Sequence, residues 1–302
     1  MSRTVKAHIL LILVTLVWGA TFVQIKDALR EISPLLFNAV RMVLAAAVLA
    51  VLYRSHLRRL NQRIVRTGMM VGFFLWLGYA FQTTGLQFTT PAKSAFLTGV
   101  SVVFVPIFLA IFWRRKISRW SVIGVLSAFI GLFLLTVPAG LASSWGDFAS
   151  VNRGDWLTMI CAVAFAFQII SVGRAAEQYP FQSLSVIQIS TAAALMLATA
   201  PMLETLHVIW SARVIAAILV TGLLGLAAAF TIQAWAQQFI SPTNAGLIFA
   251  LEPVFAWITS YVLLGERLGW RAAFGALLIL AGLLFSELLG AARRAETVSS
   301  AA

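Results

Sequence analysis

Only 11% of the 302 residues are charged, three are histidine and one is cysteine. The shortage of charge excludes an ordinary soluble domain, in which about a quarter of residues are charged. A single cysteine, Cys161, excludes a disulfide framework and a cysteine metal site, and an inert buried thiol is its expected state. His8, His56 and His207 fall at or near the ends of apolar runs, and the carboxylates form no cluster. A membrane-embedded enzyme working by metal or acid–base chemistry therefore finds no constellation here. No GxxxxGK[ST] loop, HExxH pair or GxSxG elbow occurs, and no polar stretch is long enough for a nucleotide-binding domain. Direct ATP drive, a cofactor and a bound metal are not expected.

What the chain has in abundance is apolar sequence, 61% of its residues. A helix needs about 20 mainly apolar residues to cross a bilayer core of about 30 Å, whereas a barrel strand would show short apolar–polar alternation. The long uninterrupted runs predict helices near 7–26, 32–53, 67–88, 90–112, 119–137, 154–173, 182–202, 213–237, 242–264 and 270–289. The expected fold is an all-α integral membrane protein with ten transmembrane helices. Arg3 and Lys6 give the first run the flank of a signal peptide, but its apolar stretch is too long and no cleavage site precedes a soluble region, so a retained helix is expected.

The net charge of +12 sits in short connectors, which argues for orientation in a bilayer rather than for nucleic acid. With the N-terminus inside, 14 Lys and Arg residues fall on the inner side and 7 on the outer. The positive-inside bias predicts both termini in the cytoplasm.

The connector "PAGLASSWGDFASVNR" at 138–153 divides the spans five and five, giving a first repeat at 1–137, a second at 154–290 and a tail at 291–302. "FQTTGLQFTTP" at 81–91 returns as "IQAWAQQFISP" at 232–242, a shift of 151 residues. Held without a gap from Phe81/Ile232 to Phe133/Leu284, this register gives 11 identities in 53 positions, among them Gly124/Gly275 and Gly131/Gly282. Repeats with an odd number of spans enter the membrane from opposite sides, which is the inverted-repeat plan of many secondary transporters. A weaker echo joins Gln24 to Gln168 and Pro34 to Pro180.

"SPTNAGLIFALEPVFAWITSYVLLGERL" at 241–268, "WGATFVQ" in the first span and "GLQFTTPAKSAFLTGVSVVFVPI" in the fourth resemble the EamA type of the drug/metabolite transporter superfamily, over about 7–290. The resemblance implies a ten-helix inverted-repeat fold, a central cavity and export of small metabolites such as amino acids. Uptake of a sugar or another metabolite is the alternative within the same fold, and a channel-like facilitator a further one. The halves differ, since "FWRRKIS" replaces "LLGERLG" and Val102 stands where Pro253 does. Any site is expected to be asymmetric.

Residues three and four apart share a helix face. Thr21 with Gln24, Asn38 with Arg41, Tyr79 with Gln82, and Gln233 with Gln237 form polar faces on four spans, and Gln168 adds a fifth. Such side chains are costly toward lipid and face a wet cavity or bond neighbouring helices. The expected partners are a small-molecule substrate and the lipid bilayer. Trp18, Tyr79, Phe96, Trp235 and Trp257 lie within spans and suit a pocket for amphipathic solutes, with plain packing as the other reading. Glu266 belongs to a solvated turn, and the glycines of spans five and ten suit close packing, within the bundle or across a homodimer. Pro106 and Pro253 inside spans are hinge candidates for alternating access. Arg41 and Glu252 are the two ionisable side chains deep within spans, each roughly 14 to 15 Å from its helix start at 1.5 Å per residue. They are expected to pair or to find local partners; in the functional reading Glu252 exchanges a proton or meets a substrate amine while Arg41 meets a carboxylate.

Overall fold

The computed structural model describes residues 1–58, 60–136, 152–264 and 269–299. Residues 138–151 of the connector between the halves, Glu266 and Arg267 lie outside the described residues. Its helices are α1 (Arg3–Ala28), α2 (Pro34–Leu52), α3 (Arg54–Leu57), α4 (Gln62–Leu86), α5 (Pro91–Gly99), α6 (Ser101–Trp113), α7 (Arg119–Thr136), α8 (Arg153–Ala176) and α9 (Phe181–Leu203). There follow α10 (Ala212–Val220), a π-helical stretch Thr221–Ala228, α11 (Ala229–Ala236), α12 (Pro242–Phe249), α13 (Glu252–Leu264) and α14 (Trp270–Ser299). Among the described residues there is no strand, only an isolated bridge between Ile32 and Val208. Among the described residues seven helical stretches are long and apolar enough to cross a membrane, with Lys93–Trp113 and Ala212–Ala236 each taken as one, and Arg119–Leu135 and Trp270–Ser286 are shorter apolar helices.

The helices start where the sequence places caps. Ser2, Asn61, Thr90, Ser211 and Ser241 accept from the third backbone N–H beyond them, and Asn152 with Asp155 forms a capping box. Pro34, Pro91 and Pro242 open helices where the missing N–H is not needed. The outward faces carry apolar side chains such as Ile111, Phe112, Leu126, Leu277 and Leu284, suited to a lipid surround.

Glycine decides how α7 and α14 meet. A Cβ at Gly124 would stand 2.5 Å from the Gly282 carbonyl oxygen, and one at Gly131 2.5 Å from that of Gly275. Only bare backbone permits this approach. Under the shift of 151, the pair 124–282 becomes 275–131, and Ser127, whose hydroxyl donates to the Leu278 carbonyl at 2.8 Å, becomes Leu278 itself. These glycine faces are thus used within one chain.

Breaks, rather than interior prolines, divide two of the expected spans. α5 ends and α6 begins around Val100, while α12 and α13 are separated by Ala250 and Leu251. In the 151 register, Ser101 at the start of α6 corresponds to Glu252 at the start of α13. This corrects the expected placement of Pro253. Pro253 occupies the first turn of α13, where a missing donor is tolerated, and α6 runs on through Pro106. The first-half break has no proline beside it, so proline alone does not cause it.

One buried ion pair ties α5 to α8. Lys93 Nζ lies 2.6 Å from Asp155 Oδ2, and Asp155 also accepts from the Thr89 hydroxyl and the Asn152 N–H. Removing one partner of a buried pair strands the other charge, at a cost of about 3 to 5 kcal/mol. Lys93→Met is therefore expected to lower the thermal midpoint of detergent-solubilised protein by several degrees, and the double change with Asp155→Leu to recover most of that. A Lys93→Met midpoint equal to wild type would show that the pair contributes nothing.

Candidate functional site

A cavity of about 720 Å³, counting the space at its mouth, lies where α1, α2, α4, α8, the π stretch and both helix breaks converge. Both half-helices, α6 and α13, present their first residue to it, Ser101 and Glu252. Between α4–α6 and α11–α13, four lining pairs are related by the 151 shift: Tyr79 and Phe230, Gln82 and Gln233, Thr98 and Phe249, Ser101 and Glu252. In these four pairs the first half supplies three hydroxyls and an amide, and the second supplies two rings, an amide and the carboxyl, with Arg41 added from α2.

The two charges do not pair, contrary to one sequence expectation. Arg41 on α2 points its Nε and Nη2 at Asn38 Oδ1, at 3.0 and 2.7 Å. Its guanidinium lies over the rings of Phe37 and Tyr79, 4.9 and 4.7 Å from their centroids. No ion pair joins it to Glu252, and the Glu252 carboxyl has no hydrogen bond within the described chain. A deep, partnerless carboxyl is costly in a membrane unless water or a solute meets it. Around it stand Trp18, Phe22, Phe165, Phe230 and Phe249, with the Trp18 ring 5.5 Å from Phe230 and 5.2 Å from Phe249.

Backbone irregularity helps to hold this wall. The Trp18 indole N–H donates to the Gly225 carbonyl at 2.8 Å, within the π stretch. Stretches of π-helix are rare and concentrate at functional sites, because they redirect backbone carbonyls out of the helix ladder. At the opposite end of the wall, Gln233 and Gln168 donate to each other at 3.1 and 3.3 Å. Gln233 also donates to Gln237, and Gln237 to the Ile169 carbonyl.

Of the side chains singled out in the sequence, Trp18, Thr21, Arg41, Tyr79, Gln82, Gln168, Gln233 and Glu252 line the cavity. Asn38 and Gln237 stand behind the wall, bonded to Arg41 and Gln233. Gln24, Phe96, Trp235 and Trp257 are off it, which corrects their expected placement. Phe96 packs toward Phe129 and Phe133, Trp235 lies against Phe239 with Lys6 over its ring, and Gln24 and Trp257 are half-buried elsewhere. The sequence reading missed Thr98, Ser101, Thr221, Phe165, Phe230, Phe249 and the buried Gln188, which accepts from Gln168 at 3.3 Å. The repeat register held the signal for four of them: carrying Tyr79 and Glu252 across it reaches Phe230 and Ser101, and the same shift pairs Thr98 with Phe249.

The EamA-like transporter family matches residues 5–137 and 152–288, nearly the whole chain. The chain belongs to this family. An "Uncharacterized transporter" of Archaeoglobus fulgidus is 31% identical over 92% of this chain and 84% of its own length. "Uncharacterized transporter YoaV" of Bacillus subtilis is 22% identical over 93% of this chain and 97% of its own. A Salmonella typhimurium protein with the name "Probable amino-acid metabolite efflux pump" is 27% identical over 99% of this chain and all of its own. One solved crystal structure superposes with a TM-score of 0.73 at 18% identity, covering 95% of this chain and 99% of the other, which shows the fold. This EamA-family chain is thus a multi-pass membrane transporter and not an enzyme.

Proposed function

We propose that this chain is a secondary active exporter of amino acids or related amphipathic metabolites, built as two inverted five-helix repeats and working by alternating access. The observation that carries the reading is the pair of unpaired, opposite charges facing one aromatic cavity. Glu252 suits a substrate ammonium, Arg41 a substrate carboxylate, and the rings its apolar part. The efflux name of the Salmonella relative points the same way.

Several observations support the repeat plan: two family matches, breaks at equivalent positions, and glycine contacts that map onto each other under one shift. A site between inverted repeats, formed by discontinuous helices, is the usual arrangement in secondary transporters. In this reading the breaks at Val100 and at Ala250–Leu251, the latter just before Pro253, are where the halves bend. Both termini face the cytoplasm of a bacterial-type inner membrane, and Glu252 is the group that couples export to a proton.

The test is counterflow in proteoliposomes against amino acids, sugars and aromatic amines. Saturable exchange of at least one amino acid is expected, with sugars inactive. Strictly linear flux for every solute would overturn a carrier mechanism, and exchange of sugars alone would overturn the substrate class.

A further inference from the structure

Arg41 and Glu252 line one cavity and no ion pair joins them, although opposite charges attract strongly where the dielectric is low. Their separation here needs a cause. The bonds around Asn38 supply it.

Asn38 is wholly enclosed, and its Oδ1 accepts from Arg41 Nε, Arg41 Nη2 and the Thr83 hydroxyl, at 3.0, 2.7 and 3.2 Å. Its Nδ2 donates to the Tyr79 carbonyl at 3.1 Å, which fixes the amide orientation: a flipped amide would turn its donors onto the guanidinium. Phe37 and Tyr79 then hold the guanidinium plane in place. The residue restraining Arg41 is itself neutral. A carboxylate at this position would keep the bonds from Arg41 and Thr83 and cancel the charge, while setting an oxygen against the Tyr79 carbonyl, and a shorter side chain would release the guanidinium.

We propose that Asn38 is a positioning residue that holds Arg41 away from Glu252, keeping both charges available, so that the cavity selects solutes with both an ammonium and a carboxylate over solutes with one. This selectivity rests on the exporter reading above; the restraint on Arg41 does not.

The restraint is tested without any substrate. Dicyclohexylcarbodiimide adds to a protonated carboxyl in apolar surroundings, the carboxyl oxygen attacking the carbodiimide carbon as its proton passes to nitrogen; labelling of Glu252 is followed by mass spectrometry of the intact wild-type chain. Asn38→Ala is expected to slow labelling at least tenfold, because the released guanidinium engages the carboxylate. Adding Arg41→Gln to Asn38→Ala is expected to restore it. Equal labelling in wild type and Asn38→Ala, or a double variant that stays slow, would overturn the restraint.

Selectivity is read by competition of phenylalanine and phenethylamine, which differ by the carboxylate. Asn38→Asp, nearly isosteric, is expected to reduce the wild-type preference for phenylalanine at least tenfold. An unchanged ratio in Asn38→Asp would overturn the positioning role, whereas a wild type that binds neither probe would remove the exporter reading and the selectivity with it while leaving the labelling result standing.

Discussion

Glu252→Gln is expected to reduce exchange of amine-bearing solutes by roughly 30-fold or more, since losing one partner of a desolvated charge contact costs about 2 kcal/mol or more and each 1.4 kcal/mol is a factor of ten. The reason is local. Glu252 opens α13 at the helix break, lines the cavity, and has no hydrogen bond or ion pair from the described chain to satisfy it. Glutamine keeps the shape and loses both the charge and the titration. Wild-type exchange should therefore fall on acidification sufficient to protonate the carboxyl, and the glutamine variant should show no corresponding step. Rate against pH in proteoliposomes, with equal amounts of inserted protein, gives both readouts. A variant with the wild-type rate and the wild-type pH profile would exclude Glu252 as coupling site and as essential contact.

Gly131→Leu is expected to have the largest effect on folding. The first atom of any side chain at this position would lie 2.5 Å from the Gly275 carbonyl oxygen, 2.8 Å from Ile279 Cγ1 and 2.9 Å from the Ile279 nitrogen. Two of these are backbone atoms, which cannot turn aside as a flexible side chain can. α7 and α14 would have to separate, opening a packed contact in a solvent where lipid offers no hydrophobic penalty for separation. Loss of a monodisperse species in detergent is the expected outcome for leucine, and a clear fall in thermal midpoint for alanine. Leu126→Ala on the lipid-facing side of α7, where the side chain is 54% exposed, should change little. A leucine variant that retains the wild-type midpoint would show that the glycine contact does not hold the two helices together.

The membrane class, the helices and the approximate spans were legible in the sequence because the hydrocarbon core demands long apolar helical runs, whatever packs against them. Pro91 and Pro242 marked helix starts, and the glycines of spans five and ten marked a close contact, because their backbone chemistry acts locally. The site was half legible. Arg41, Glu252, Gln82 and Gln233 stood out since polar side chains are conspicuous in apolar runs, whereas Phe165, Phe230 and Phe249 look like any packed phenylalanine. Trp235 and Trp257 drew attention by composition and lie elsewhere.

The sequence by itself determined that Arg41 and Glu252 would be deep, polar and in need of partners. Only the tertiary structure decided that they would stay apart. Depth follows from position along a helix, but a partner is chosen by which faces of distant helices meet: the guanidinium donates to Asn38, three residues away on the same face, and no ion pair joins it to Glu252.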